Sequence, residues 1–359
     1  MLRPILFLAG VLAFAQEPFG VTVTEVIAPV TVVDKRTGKF VNGLESKDFT
    51  LLDNGAPQDI KVEVTYVPIS LVVAVQANNM VEPFLDKIKK IGPLLEGLVI
   101  GQQGEAAVMK FDHRFLWMTD GFTNDGKTLT KALERINAGS STSAMVDAVF
   151  EATRVLRNRP RTQRKILLLI AETRDKGSEG RIREALLTAQ TNNIIVYSVN
   201  LNRLVSNLAK KMDAPRTPHM PPAARGPMSG GAPQTPTSVA SMTGWGAEAG
   251  DVTPIIKELL VQVKSIFVPN PLEVFTRHTG GREYAFLSMR DLEDVVTKLG
   301  EELHSQYLVN YLPNNRDQAG WHDIKVTVGT NPKNYEIRTR PGYYTAAKFD
   351  KPPASNTTP

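Results

Sequence analysis

The feature that most constrains this chain is a series of short, almost continuous apolar segments that alternate with amphipathic ones. The apolar segments cover residues 69–75, 104–111, 165–171 and 194–199. Apolar residues recur at helical spacing in the segments between them, at 80–98, 143–156 and 180–191. A strand that is apolar at every position is typical of a parallel sheet covered on both faces. The alternation therefore predicts βαβ units and an α/β fold with a doubly wound, mostly parallel sheet.

Both ends of the chain carry a different pattern, in which apolar and polar residues alternate over short stretches. Val30 and Val32 alternate near the amino end, and Ile324, Val326 and Val328 do so near the carboxyl end. Strands this short need a partner sheet to bury their apolar faces. We therefore expect the N- and C-terminal segments to form one β-sandwich, from which the α/β domain projects.

These patterns predict the domain boundaries. We expect a signal peptide over 1–15, an N-terminal β segment over 16–66, the α/β domain over 67–311, a C-terminal β segment over 312–348 and a disordered tail over 349–359. Within the α/β domain, residues from about 205 to 250 are rich in Pro and Gly and indicate an insertion. After the insertion, the α/β domain is completed by two helices and two strands: helix 272–278, strand 283–286, helix 291–304 and strand 306–311.

The first fifteen residues have the composition of a secretory leader. Arg3 precedes an apolar run, and Ala13-Phe14-Ala15 fits a small-x-small cleavage site. The run is too short to span a bilayer as a helix, and no other window approaches that length. We therefore expect a secreted or periplasmic protein with no transmembrane span after removal of the signal.

Composition excludes several classes of site. The chain has no Cys, so it can form neither disulfides nor thiolate metal sites. The net charge is +5, and no dense stripe of Lys and Arg with interleaved aromatic residues indicates nucleic-acid binding. The five His lack metal-ligand spacing, and His113 lies in an Asp-His-Arg turn that is typical of a solvated hairpin. Without a nucleophile elbow, phosphate loop or dinucleotide fingerprint, we expect no enzyme.

Three motifs follow the apolar runs in a fixed order. Residues 75–79 are Val-Gln-Ala-Asn-Asn, Ser143 precedes a helix that carries Asp147, and Glu172 follows the third run ahead of a turn that ends in Gly177-Ser178. This order resembles the von Willebrand factor A-type domain, where the first motif is Asp-x-Ser-x-Ser, and in particular the VWFA-related proteins of the Acidobacteria type. Residues 41–55, 305–311 and 339–344 resemble the flanking β segments of that family. The resemblance implies a von Willebrand A-like fold for nearly the whole mature chain except the insertion.

The resemblance also implies a metal-ion-dependent adhesion site that has lost its ligands. In an intact domain, two Ser and one Thr hydroxyls bind a divalent cation with the help of carboxylates. Val75 and Ala77 carry no side-chain oxygen at the first two positions, and Asn79 offers one neutral oxygen. Since Mg²⁺ requires several hard oxygen ligands, we expect a degenerate site without metal or other cofactor.

The two remaining ligand positions each have a second interpretation. Ser143, at the Thr position, also fits an N-cap of the following helix. Glu172, at the distal Asp position, is close enough in sequence to Arg174 to pair with it instead.

The loops at the carboxyl ends of the strands form the crevice in which open α/β sheets bind ligands. We expect this crevice to be lined by Gln76, Asn78, Asn79, Ser141, Thr142, Ser143, Glu172 and Arg174. Their amides and hydroxyls can bind a protein or cell-envelope partner directly, or can simply stabilise the loops, since Asn is favoured in turns.

The resemblance thus implies an exported binding module that mediates protein–protein or surface interaction. Three alternatives stay open at this point. One is a Mg²⁺-dependent adhesion domain that uses Ser143, Asn79 and Glu172. The others are a secreted hydrolase that uses loop carboxylates and a structural component of the envelope.

Overall fold

The computed structural model describes residues 25–63, 67–101, 103–178, 180, 182–201, 270–285, 291–315, 318, 320–329 and 332–345. The predicted leader (1–15), the insertion (205–250) and the tail (349–359) lie outside these residues.

Strands of the β part lie at both ends of the chain, and the strands and helices of the α/β part lie between them. The strands are β1 (Val26–Asp34), β2 (Phe49–Asp53), β3 (Ala56–Pro57), β4 (Ile60–Glu63), β5 (Ile69–Gln76), β6 (Glu105–Phe111), β7 (Phe115–Trp117), β8 (Arg164–Ala171), β9 (Ile194–Asn200), β10 (Glu283–Ala285), β11 (Tyr307–Tyr311), β12 (Gly320–Val328), β13 (Tyr335–Arg338) and β14 (Gly342–Thr345). The helices are α1 (Glu82–Ile88), α2 (Gly92–Leu94), α3 (Gly126–Glu134), α4 (Met145–Leu156), α5 (Ile182–Thr191), α6 (Pro271–Thr279) and α7 (Asp291–Ser305). Across the described residues, no helix is both long enough and apolar enough to cross a membrane.

A six-stranded sheet in the order β10-β9-β8-β5-β6-β7 forms the centre of the α/β part. Its neighbouring strands are parallel, except that β7 runs antiparallel to β6 at one edge. Strands β5 and β8 are buried at every position, as their continuous apolar sequences predict. The prediction of a doubly wound, mostly parallel sheet is confirmed.

Helices cover both faces of this sheet, which creates two hydrophobic cores. One core packs side chains of α1, α3 and α7 against the sheet, including Leu85, Leu133 and Leu299. The other packs side chains of α4, α5 and α6, including Val149 and Phe275. Helix α3 and strand β7 are absent from our sequence-based assignment, although the turn at His113 does connect β6 to β7 as a hairpin.

The predicted helix over 80–98 is broken into shorter helical segments. The first segment, α1, begins at Glu82. A 3₁₀-helix at Lys89–Ile91 precedes α2, and a π-helix at Leu95–Ile100 follows it. Pro93 lies within α2, and a proline removes a backbone hydrogen bond and clashes with the preceding turn. The predicted apolar face is nevertheless buried, at Leu85, Ile88, Ile91 and Leu95.

Two four-stranded sheets, β13-β1-β11-β4 and β14-β12-β2-β3, make up the β part. Side chains from both sheets form a single core, among them Val30, Val309, Leu51 and Val326. The strands come from both ends of the chain, so the predicted sandwich of N- and C-terminal segments is confirmed.

One strand lies in a different sheet from the one we expected. The predicted α/β domain, 67–311, includes Tyr307–Tyr311. In the structure this strand, β11, pairs antiparallel with β1 and β4 of the sandwich. All five residues of β11 are buried, as they would be in a strand of the central sheet. A short run of buried residues does not by itself show which sheet the strand joins. The boundary at residue 311 is therefore wrong for this strand, which belongs to the sandwich.

A buried polar network joins the two parts. Arg164, the first residue of β8, donates from Nη1 to the Leu303 carbonyl at 2.6 Å and from Nη2 to Gln306 Oε1. The Gln306 amide in turn donates to Thr31 Oγ1 of the sandwich at 3.3 Å and to the Tyr197 hydroxyl at 3.2 Å. Side chains thus connect the amino ends of β8 and β11.

Candidate functional site: the crevice between β5 and β8

The candidate site lies where the chain reverses its direction of progress across the central sheet. Strands β5 and β8 are parallel neighbours, but the chain proceeds from β5 towards β6 on one side and from β8 towards β9 on the other. Such a switch point opens a crevice outside the carboxyl ends of the two strands, where α/β proteins bind ligands. Gln76 is the last residue of β5, and Glu172 directly follows β8.

Gln76 and Glu172 close the bottom of this crevice by binding each other. The Glu172 backbone N–H donates to Gln76 Oε1 at 2.9 Å, and Gln76 Nε2 donates to Glu172 Oε1 at 3.2 Å. The two residues are 0% and 3% exposed. A neutral amide therefore faces the buried carboxylate oxygen and satisfies it.

Backbone hydrogen bonds join the loop after β5 to the loop before α4. The Gly139 N–H donates to the Ala77 carbonyl at 2.7 Å, and the Asn79 N–H donates to the Ser140 carbonyl at 3.0 Å. Asp112 supports the same loop, because its Oδ2 accepts the Ser140 N–H at 2.8 Å. Burial favours a higher pKa for Asp112, but the hydrogen bonds that its carboxylate accepts outweigh burial and lower that pKa.

The loop after β8 is held against the start of α4. The Ser143 carbonyl accepts the N–H groups of Lys176 and Gly177 at 3.1 and 2.9 Å. Asp175 Oδ2 accepts the Val146 N–H at 2.8 Å. Because these bonds link the second and third loops, all three loops around the crevice form one connected unit.

Helix α4 is capped by residues from the neighbouring loop. Its N-cap residue is Ala144, which offers no side-chain acceptor. Asp175 accepts the Val146 N–H instead, and Ser178 Oγ accepts the Asp147 N–H at 3.1 Å. The carboxylate is also favourably placed at the positive end of the helix dipole. The interpretation of Ser143 as the N-cap of this helix is therefore wrong.

The structure separates the predicted lining residues into two groups. Gln76, Asn78, Ser143 and Glu172 are buried, while Asn79, Ser141 and Arg174 are exposed and Thr142 is half-buried. Glu172 Oε2 has no hydrogen-bond partner in the described structure, so the alternative pairing of Glu172 with Arg174 is wrong. The exposed residues form the rim of the crevice, and the buried ones form its floor.

The donor set does not fit a divalent cation. Val75 and Ala77 are buried apolar side chains at two ligand positions. The carboxylates of Asp147 and Asp175 accept backbone N–H groups, from Gly180 at 2.7 Å and from Val146 at 2.8 Å. Within the described residues, no group of three His, Asp or Glu side chains is arranged to hold a metal ion. The oxygens that remain are one carboxylate, of Glu172, and the neutral oxygens of Asn78 and Ser143, which is a weak ligand set for a hard cation.

Three buried oxygens on the loops carry unused acceptor capacity. Asn78 Oδ1, Ser143 Oγ and Glu172 Oε2 have no hydrogen-bond partner in the described part of the chain. Buried polar atoms are normally satisfied, and exceptions are common at functional sites. The floor of the crevice therefore holds three acceptors that are enclosed by the loops and left without a donor in the described structure.

Our sequence analysis missed Asp112, Asp175 and Ser178, which assemble the loops. The Asp-x-Gly-Ser order at 175–178 is a turn signal, since an Asp side chain commonly binds backbone N–H groups two and three residues further on. Asp175 Oδ1 does accept the Ser178 N–H at 3.1 Å. That the same residues cap α4 depends on a contact between distant segments, which no local pattern shows.

No family model and no curated protein matches this chain. Among solved structures, the conserved hypothetical protein BatB from Bacteroides thetaiotaomicron is 20% identical with a TM-score of 0.32, and the match covers 37% of this chain and 66% of that one. An aerotolerance-related membrane protein from Bacteroides fragilis NCTC 9343 is 13% identical with a TM-score of 0.37, covering 64% of this chain and 97% of that one. The SpRpn10 VWA domain is 10% identical with a TM-score of 0.31, covering 37% and 75%.

The chain thus spans slightly less than two thirds of BatB. Similarities at these TM-scores do not indicate a function for this chain. The fold is defined by the strand order of the central sheet, with β5 and β8 at its centre and one antiparallel edge strand.

Proposed function

We propose that this chain is an exported binding module that holds a protein or cell-envelope partner in the crevice between β5 and β8 without a bridging metal ion. The observation that carries the proposal is the mutual binding of Gln76 and Glu172. An amide N–H lies against the carboxylate oxygen at 3.2 Å, and an amide cannot replace the charge of a cation for a partner's carboxylate. In this proposal the adhesion site is degenerate, and binding is direct.

The exposed rim supports direct binding. Asn79, Ser141 and Arg174 are exposed at the crevice, and together they offer hydrogen-bond donors, acceptors and one positive charge. Loops held by a rigid scaffold are favoured positions for binding residues. The backbone bonds that join the three loops keep this rim in one arrangement, which reduces the entropy lost on binding.

Site-specific photo-crosslinking of the full chain tests the proposal. A photoreactive residue replaces Asn79 or Ser141 on the rim, and Lys47 serves as a matched control because its side chain is 75% exposed on the sandwich. Each variant is incubated with envelope extract in Mg²⁺ and in EDTA. We expect the same partner to be captured from both rim positions in both buffers, and not from position 47.

Three outcomes would contradict the proposal. Capture that requires Mg²⁺ would identify a cation-dependent adhesion domain, and capture from position 47 alone would place the binding surface on the sandwich. Degradation of an envelope polymer by the purified chain, abolished by one carboxylate substitution, would identify a secreted hydrolase instead.

A further inference from the structure

A second polar site lies at the opposite edge of the central sheet. The segment 157–165 joins α4 to the amino end of β8, and five of its nine residues are basic: Arg157, Arg159, Arg161, Arg164 and Lys165. The cluster contains no aromatic residue, so it does not match the pattern that indicates nucleic-acid binding. Since β8 begins here and ends at the crevice, the two sites are separated by the length of the strand.

A cavity of about 1390 Å³ lies between this basic segment and the sandwich. All five basic residues line it on the side of the α/β domain, and Arg340 and Asn310 line it on the side of the sandwich. The volume is large enough for a small organic ligand. Because both domains contribute side chains, the cavity exists only when they are packed together.

Several guanidinium groups in this cavity have unused donors. The Nε–H groups of Arg159, Arg164 and Arg340 are buried and have no acceptor in the described structure. Arg164 and Arg340 are only 5% and 3% exposed. The acceptors of Arg164 described above, a backbone carbonyl and an amide oxygen, are both neutral. Burial lowers the pKa of both arginines. It outweighs the charges of Glu302 and Asp53, which favour the cations of Arg164 and Arg340, respectively. A further anion in the cavity would therefore stabilise these cations.

The outer basic residues are available to a ligand. Arg157 and Arg161 line the cavity and are exposed, and no ion pair engages either of them among the residues that the structure describes. Arg159 is oriented by an ion pair with Glu105 and by the ring of Phe122, which lies 4.5 Å below its guanidinium carbon.

The cavity lining also contains hydrogen-bond acceptors. Asp59, just before β4, and Glu63 of β4 line it. The side-chain oxygens of two further lining residues, Gln190 of α5 and Asn310 of β11, are buried without a partner in the described structure. The lining therefore combines cations that can bind an anion with acceptors that can bind hydroxyl groups.

We propose that this cavity binds a small phosphorylated ligand whose organic part is rich in hydroxyl groups. Guanidinium groups bind phosphate oxygens in bidentate geometry, and several of them together match a dianion with three terminal oxygens. The acceptors of the lining, such as Gln190 and Asn310, would bind the hydroxyl groups. This site uses none of the crevice residues and does not depend on the proposed function above.

Isothermal titration of the full chain tests the proposal, with glucose 6-phosphate, glucose and inorganic phosphate as probes at constant ionic strength. The test variant is Arg157→Ala/Arg161→Ala, which removes two exposed cations of the cavity. The matched control is Lys127→Ala/Lys131→Ala, which removes two exposed cations of α3 that do not line it. Melting temperatures without ligand show whether each variant is folded.

We expect glucose 6-phosphate to bind more tightly than phosphate, and glucose not to bind detectably. The Arg157→Ala/Arg161→Ala variant should weaken binding of the phosphate ester about tenfold or more, while the Lys variant should bind like the wild type. Failure of both phosphorylated probes to bind the wild type, or equal binding by the two variants, would overturn the proposal. Equal affinities for phosphate and its ester would overturn the assignment of the organic part.

Discussion

Gln76 and Glu172 lie 96 residues apart in the chain and exchange two hydrogen bonds of 2.9 and 3.2 Å at the carboxyl ends of adjacent strands. Each bond uses a different donor, so the two residues can hold only one relative orientation. The amide lies next to the carboxylate, and the nearby side chains of Val75 and Ala77 are apolar and buried. We expect these contacts to stabilise the crevice without a cation.

Replacing Gln76 by Ala should destabilise the chain. The change removes the donor to a buried carboxylate and the acceptor of the Glu172 N–H, and leaving buried groups unsatisfied costs about 2–4 kcal/mol. Denaturant titration measures the free energy of unfolding. Asn79→Ala is the matched control, because Asn79 is exposed on the same loop and should change stability by less than about 0.5 kcal/mol. Equal effects of the two substitutions would contradict the structural role of Gln76.

Replacing Asp175 by Ala should destabilise α4 although Asp175 lies outside that helix. Its carboxylate accepts the Val146 N–H at 2.8 Å and so caps the helix, and loss of a cap costs about 1–2 kcal/mol. Asp175→Asn retains an acceptor and should cost less. Denaturant titration and amide hydrogen exchange at Val146 measure the two effects. Unchanged exchange at Val146 in the Ala variant would show that the helix is capped in another way.

The sandwich contains a second buried pair, Asp53 and His322, that should make stability depend on pH. His322 Nδ1 lies 2.7 Å from Asp53 Oδ1, and Nε2 lies 2.9 Å from the Gln318 carbonyl. Because both partners are acceptors, both ring nitrogens must carry protons. Burial favours a lower pKa for His322, but its bonds to Asp53 and Gln318 outweigh burial and raise that pKa.

The pKa of Asp53 shifts in the other direction. Burial favours a higher pKa, but the hydrogen bonds from His322, Asn315, Tyr343 and Tyr311 outweigh it and lower that pKa. A raised His pKa stabilises the fold fully below the unfolded value of about 6.5, and this contribution is lost as the pH rises through the folded pKa. A lowered Asp pKa stabilises it fully above about 3.9, and this contribution is lost as the pH falls through the folded pKa.

We therefore expect the pair to contribute most between about pH 4 and 6.5, and its contribution to fall as the pH rises above about 6.5 through the raised pKa of His322. His322→Gln should cost about 3 kcal/mol at pH 6 and remove most of that pH dependence. Denaturant titrations across this range measure both quantities. The wild-type chain, titrated over the same range, is the reference for the slope. A slope that survives in His322→Gln would assign the pH dependence to other groups.

Local sequence patterns predicted the parts of the fold whose burial is uniform. The apolar runs of β5 and β8 are buried at every position. The Asn54-Gly55 pair forms a tight turn with φ values of 48° and 82°, as the Asn-Gly dipeptide favours. The same reasoning failed for β11. That strand is also buried at every position, so its composition does not distinguish the sandwich from the central sheet.

The candidate site was predicted in position but not in its contacts. The order of the loops identified Gln76 and Glu172 as neighbours of the switch point, because strands in a parallel sheet end at the same edge. Their mutual binding and the capping of α4 by Asp175 depend on pairs that lie far apart in the sequence. Side-chain choice among several possible partners is a tertiary effect, and a single sequence contains no direct signal for it.

The most direct test of the central claim is the melting temperature of the full chain in Mg²⁺, Mn²⁺ or Ca²⁺ against EDTA at constant ionic strength. A ligand that binds only the folded state at about a hundred times its dissociation constant stabilises it by about 2.7 kcal/mol. Because the crevice offers a single carboxylate and otherwise neutral oxygens, we predict that the melting curves coincide. A cation-dependent rise that disappears in Glu172→Gln would contradict the account and show that the crevice is a working metal site.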